Sequence, residues 1–105
     1  MSKMVSTLRE NAKSTKRSHM EIMATILLLC QNDPTQKNPI MYRCNLSFKQ
    51  LQKYLEFLIH IGFLGVKNVN DKDFYQITEK GQNFLKEFQN VKNLLDINSN
   101  RLSFP

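Results

Sequence analysis

Glycine, cysteine and long apolar runs are all scarce in this 105-residue chain, and each scarcity removes a class of function. Three glycines, two of them punctuating the end of a helical pattern and the start of a hairpin, leave nothing from which to build a nucleotide-cradling loop. The two cysteines, Cys30 and Cys44, stand fourteen positions apart, outside any CxxC pair and out of register with His19 or His60 as metal ligands. They read as buried reduced thiols, and no metal or other cofactor is expected. The longest unbroken apolar run, Ile26 to Cys30, falls far short of the ~20 residues that span a bilayer, and the polar N-terminus carries no secretory hydrophobic segment. A cytoplasmic protein without a membrane partner is therefore expected. No Ser/Cys nucleophile or paired carboxylate accompanies either histidine, so the chain reads as a non-enzyme.

What the chain does have is an uneven charge. Residues 1–53 carry nine Lys/Arg against three Asp/Glu, and residues 54–105 carry six against six, so the whole net charge of +6 lies in the first half. A basic half points to a polyanionic partner. At this length one modest core is expected, hence one domain.

Residues 1–17 are polar and hold Lys3, Arg9, Lys13, Lys16 and Arg17 against Glu10, which reads as a flexible basic arm. The folded domain is expected over residues 18–97. Ser18 and Glu21 have capping-box spacing and open a first helix whose apolar face holds Ile22, Met23, Ile26, Leu27 and Cys30, and Asn32-Asp33-Pro34 ends it. Asn38 as N-cap with Pro39 in the first helical position predicts a short second helix to Cys44, burying Ile40, Met41 and Cys44, followed by a tight turn at Asn45-Leu46. Ser47 and Gln50 form a second capping box, opening a third helix that runs to Gly62. At 100° per residue Phe48, Leu51, Leu55 and Leu58 fall within about 80° of one another as its core face, with Lys49, Lys53, Glu56 and His60 opposite.

After Gly62 the apolar period drops from helical to alternating, through residues 63–67 and again 73–77, which predicts a β-hairpin with residues 68–72 as its loop. Thr78 then caps a last helix over about 78–97, with Phe84, Phe88, Val91 and Leu95 four, three and four apart and Leu85 and Leu94 beside them. Residues 98–105 read as a frayed tail.

Three helices with a tight turn before the third, then a hairpin and a final helix, make a mainly helical α+β fold in the order of a winged helix-turn-helix. In that order the third helix is the one that enters the major groove of double-stranded DNA. Lys49 and Lys53 are one turn apart near its N-terminal end, and Gln50 beside them has the donor and acceptor for a bidentate contact to adenine. Arg43, Ser47 and the hairpin's Lys72 are candidates for phosphate contacts, with Asp71 and Asp73 cancelling much of the wing's charge. Phe84, Leu85, Phe88, Val91, Leu94 and Leu95 exceed what a lone terminal helix of a small domain buries, and predict that a second copy covers them.

The segment Ile40-Met41-Tyr42-Arg43-Cys44-Asn45-Leu46-Ser47 resembles a motif shared by small archaeal winged-helix DNA-binding proteins and regulators. The likeness continues through Tyr54-Leu55, Leu58, Gly62-Phe63-Leu64, Tyr75, Ile77 and Thr78-Glu79-Lys80-Gly81, and so covers residues 17 to 95. The resemblance implies a winged helix that binds DNA without a cofactor, with two chains paired through the last helix as an antiparallel coiled coil. Some members are regulators and others chromatin-like. The chain departs from the pattern at Asn38-Pro39, at Cys44 and in its more acidic wing. A homodimeric, nucleoid-associated regulator is the leading expectation. An architectural DNA-binding protein is the first alternative, and a protein-interaction module using Phe57 and Ile61 is the second.

Overall fold

The computed structural model describes the backbone of residues 18–102 and side-chain surroundings from 18 to 95, so the expected basic arm lies outside the described residues. Helix α1 (His19–Leu29) opens on the capping box: the Glu21 amide donates to Ser18 Oγ at 3.1 Å, and the Ser18 amide donates to Glu21 Oε1 at 3.2 Å. Such caps contribute about 1 kcal/mol. Ile22, Ala24, Ile26 and Leu27 are buried on α1 and Cys30 closes it.

Past Pro34 the chain pairs briefly with the hairpin through two backbone bonds between Thr35 and Tyr75, at 2.9 and 2.8 Å. The Thr35 hydroxyl donates back to the Leu29 carbonyl at 3.1 Å. With the chain pinned there, α2 (Lys37–Cys44) begins earlier than expected: Gln36 is the N-cap and makes no side-chain cap bond. Asn38 therefore lies inside the first turn and Pro39 is the third helical residue, a position whose missing N–H would have no intrahelical partner anyway. Ile40 and Cys44 are buried and Met41 half-buried, and Asn45 ends the helix in the left-handed region at φ 54°.

Helix α3 (Phe48–His60) turns Leu51, Leu55 and Leu58 fully inward. Phe48 does not join them: it is 58% exposed, because the first residue of α3 projects past the elements that cover the later turns. Gly62, at φ +84°, closes the helix, with the Phe63 amide donating to the Leu58 carbonyl at 2.9 Å.

Strands β1 (Leu64–Val69) and β2 (Lys72–Ile77) pair antiparallel from Leu64 with Ile77 to Val69 with Lys72. The expected five-residue loop is a two-residue turn, Asn70-Asp71, with φ of 53° and 66°, the left-handed pair that matches strand twist. Thr78 then caps α4 (Glu79–Leu102): its hydroxyl donates to the Gly62 carbonyl at 2.6 Å and accepts from the Gly81 amide at 3.1 Å, tying the hairpin root to both flanking helices. A Cβ on Gly81 would come within 2.8 Å of Ile77 Cγ1 and collide with the Phe63 carbonyl, so this crossing needs glycine. The helix continues beyond residue 97, into the segment expected to fray, because its i to i−4 bonding does not stop where the apolar stripe does.

One core draws on every element, from Ile22 and Ile26 on α1 through Ile40, Leu51, Leu55 and Leu64 to Tyr75, Ile77 and Leu85. Cys30 and Cys44 form no disulfide and are fully buried within it, and burial, with Cys44 adding to it, pushes the Cys30 thiol up to about 12. No described helix is long and apolar enough to cross a membrane. The architecture is the mainly helical α+β winged helix expected from the sequence.

Candidate nucleic-acid interface

The outer surface of α3 is presented rigidly because its opposite side is locked into the core and its N-terminus is capped. The Gln50 amide N–H donates to Ser47 Oγ at 3.1 Å, and the Ser47 amide N–H donates to Gln50 Oε1 at 3.0 Å. This geometry divides the three leading candidates. Lys49 and Lys53 are exposed, and neither has a hydrogen bond or ion pair with another described residue. Gln50 turns its amide oxygen back to the Ser47 amide, so a bidentate adenine contact would have to share an oxygen already used in the cap, while Nε2 is left as a donor. Ser47 keeps its hydroxyl proton for donation, since the oxygen acts as acceptor in the cap.

Glu56, in the middle of the same face, accepts from Gln52 Nε2 at 2.9 Å, and Gln52 Oε1 in turn accepts from Lys37 Nζ at 2.7 Å. The Lys37 ammonium also lies 4.8 Å from the centre of the Phe48 ring. A chain from α2 thus braces one flank of α3 and brings a cation towards the one acid on its outer face. Lys37 was not among the sequence candidates because its relation to α3 is a contact between elements, invisible to spacing along either. Tyr42, on α2, is not among those candidates either. It is 79% exposed, and a helical pattern that buries Ile40 and Cys44 says nothing about what the intervening residue meets.

The remaining candidates are not gathered on α3. Lys72, at the start of β2, lines a cleft with Gln36, Lys37 and Asn38, so the wing tip faces the beginning of α2. Arg43 lines a different cleft, with Leu29, Asp33 and Thr35, at the junction of α1 and α2. Asp73 accepts from Asn68 Nδ2 across the hairpin at 2.8 Å, so one wing acid is engaged within the wing. Ile61 is half-buried against the core, which removes it from the exposed apolar pair that a protein-interaction surface was expected to use, while Phe57 remains exposed.

The stripe on α4 is split. Leu85 is 2% exposed and belongs to the core, so it is not interface, because the first turns of α4 cross over Phe63 and Ile77. Phe84 and Phe88 are half-buried, and Phe84 stacks against Phe63 with ring centres 5.0 Å apart. Val91, Leu94 and Leu95 are 54%, 59% and 60% exposed.

A family model for the winged helix-turn-helix matches residues 16–96. The chain belongs to this family. Among solved structures, Sso10a-2, a DNA-binding protein from Sulfolobus solfataricus, is 33% identical, with a TM-score of 0.65 over 83% of this chain and 94% of that one. ZitR from Lactococcus lactis superposes with a TM-score of 0.62 at 18% identity, over 86% of this chain and 67% of ZitR, a likeness of fold alone. An uncharacterised protein of Methanocaldococcus jannaschii is 34% identical over 67 residues, and the match spans 64% of this chain and 65% of that relative. Within a winged helix, α2 and α3 are the helix-turn-helix pair and β1–β2 is the wing.

Proposed function

We propose that this winged-helix protein binds double-stranded DNA and regulates transcription as a homodimer, within the group of small dimeric winged-helix proteins that its Ile40-to-Ser47 motif resembles. The carrying observation is the pair Lys49 and Lys53, exposed and without a described partner, one turn apart at the capped end of the second helix of a helix-turn-helix. On this reading α3 lies in the major groove, Ser47 and Arg43 meet phosphates, and Lys72 with Lys37 extends the contact along the wing side. The basic residues 1–17 add sequence-independent attraction. No catalytic step is assigned, and the protein works in the cytoplasm at the nucleoid.

A second copy covers the exposed end of α4. Met20 and Phe84, Phe88, Val91 and Leu95 line a groove of about 450 Å³ between α1 and α4, continuous with exposed Leu94, which suits a partner's helix. Two α3 helices held this way meet major grooves about 34 Å apart. Val91→Asp is expected to give a monomer by sedimentation velocity with an unchanged helix content, and an undisturbed dimer would remove the interface from α4.

The test of DNA binding is fluorescence anisotropy on a random duplex at two salt concentrations, with and without Lys49→Ala/Lys53→Ala. Binding should weaken with salt, and the double variant should weaken it further and lower the salt slope by about 2. Absence of binding at low salt overturns the reading. The engagement of the Gln50 oxygen in its cap favours an architectural role as the second reading, since it weakens one base-reading group on α3. A specificity ratio in selection experiments above about 10³ at physiological salt rules that role out.

A further inference from the structure

Beside the outer face of α3 lies a groove that DNA binding does not explain. It has a volume of about 450 Å³ and runs between the start of α1 and α3, walled by Met23, Tyr54 and Phe57 and rimmed by His19, Gln50 and Lys53. The size suits a small organic molecule, and apolar walls with a few polar groups among them have the composition of a ligand site. The polar edge has a definite character. Gln50 Oε1 is held by the Ser47 amide, so the group Gln50 offers is its Nε2 donor. Lys53 offers an ammonium with no described partner. His19 Nδ1 and the Tyr54 hydroxyl are joined at 2.6 Å, their rings tilted with centres 5.9 Å apart, which ties the start of α1 to the Tyr54 wall. Among the described residues, no carboxylate lines the groove.

We infer that this groove binds a small planar aromatic carboxylate, its ring against Met23, Tyr54 and Phe57 and its carboxylate on Lys53 Nζ and Gln50 Nε2. An aromatic ring meets the apolar and aromatic walls, and the two donors match the two oxygens of a carboxylate. The same Lys53 serves α3's outer face, so the bound carboxylate and a DNA duplex exclude one another. That exclusion rests on the proposed DNA reading, whereas the binding of the carboxylate does not.

The probe is 2-naphthoate, titrated into the full ¹⁵N-labelled chain, with 2-naphthylmethanol as the neutral analogue. Saturable shifts are expected at Met23, Tyr54 and Phe57, with affinity falling about five- to ten-fold for the alcohol and for Lys53→Gln. Phe57→Ser, at an exposed position, should abolish the shifts while leaving the core's resonances in place. Shifts that are absent up to the solubility of the probe, or that fall on the groove between α1 and α4, overturn the site. Equal affinity for acid and alcohol overturns the carboxylate. Adding naphthoate to a preformed duplex complex separates the two readings. Groove binding without release of duplex breaks the exclusion and the placement of DNA on α3, and leaves the site standing. Lys53-dependent duplex binding with no naphthoate binding leaves the DNA reading standing and sinks the site.

Discussion

Helices α3 and α4 carry apolar stripes of the same period and meet different fates. In α3 the stripe Leu51, Leu55, Leu58 is consumed by the protein's own core, and the polar side is left for a ligand or nucleic acid. In α4 the stripe is buried at Leu85 and half-buried at Phe84 and Phe88, and three residues further along, Val91, Leu94 and Leu95, are more than half exposed. The difference is one of reach. A 24-residue helix is about 36 Å long, more than a core built on α1's 11 residues and a short hairpin can cover. Periodicity reports that a face is apolar, and the length of the neighbouring elements decides whether that face is buried within the protomer or between protomers.

Truncation separates the two fates most sharply in α3. Leu55→Ala removes a buried side chain surrounded on all sides, and is expected to cost about 3 kcal/mol by urea denaturation at any protein concentration. A cost below about 1 kcal/mol would mean that the α3 stripe is less completely enclosed than its burial indicates. Next in size is the contrast within α4. Leu85→Ala should cost about 2–3 kcal/mol independently of concentration. Leu94→Ala should change the unfolding of a single protomer by less than about 0.5 kcal/mol, and its effect should grow with protein concentration as the dimer comes to dominate. Equal costs at both positions would place the whole stripe in one environment and erase the comparison.

The elements themselves were legible wherever a local signal specified them. Both capping boxes, the left-handed stop at Gly62 and the cap at Thr78 are short-range patterns, and each is present as read. What escaped was non-local. The bridge between Thr35 and Tyr75, which shifts the start of α2 to Lys37, joins residues forty positions apart and leaves no periodic trace. Phe48 lies on the same side of the helical wheel as Leu51, yet the wheel does not record that the first turn of α3 overhangs its neighbours. The hairpin loop was read too long because alternation fades at Asn68 and Val69, where both faces are exposed, while the Asn70-Asp71 pair held the shorter turn. At the candidate interface, Lys49, Lys53 and Ser47 come from spacing, and Lys37 only from its contacts with Gln52 and Phe48 on α3. Arg43 and Lys72 are exposed cations, as phosphate contacts require, and each enters a cleft of its own, which chain order does not specify.

Gln50 gives the smallest effect and the finest test. Its side chain reads both as half of a capping box and as an adenine reader, and folded back on the Ser47 amide it must share its oxygen or leave the cap to read adenine with both amide atoms. Held in the cap, Gln50 contributes to the stability of α3 rather than to the choice of base. Gln50→Ala should then lower stability by about 0.5–1 kcal/mol, the worth of one hydrogen bond, while the ranking of duplexes by affinity stays the same. Ser47→Ala, which removes the other half of the same cap, should act in the same direction and by about 1 kcal/mol. If instead Gln50→Ala leaves stability untouched and flattens a preference for adenine at one position, the amide has left its cap on binding. The outer face of α3 would then differ between its free and bound states, and the contrast with α4 would be one between an adaptable surface and a fixed one.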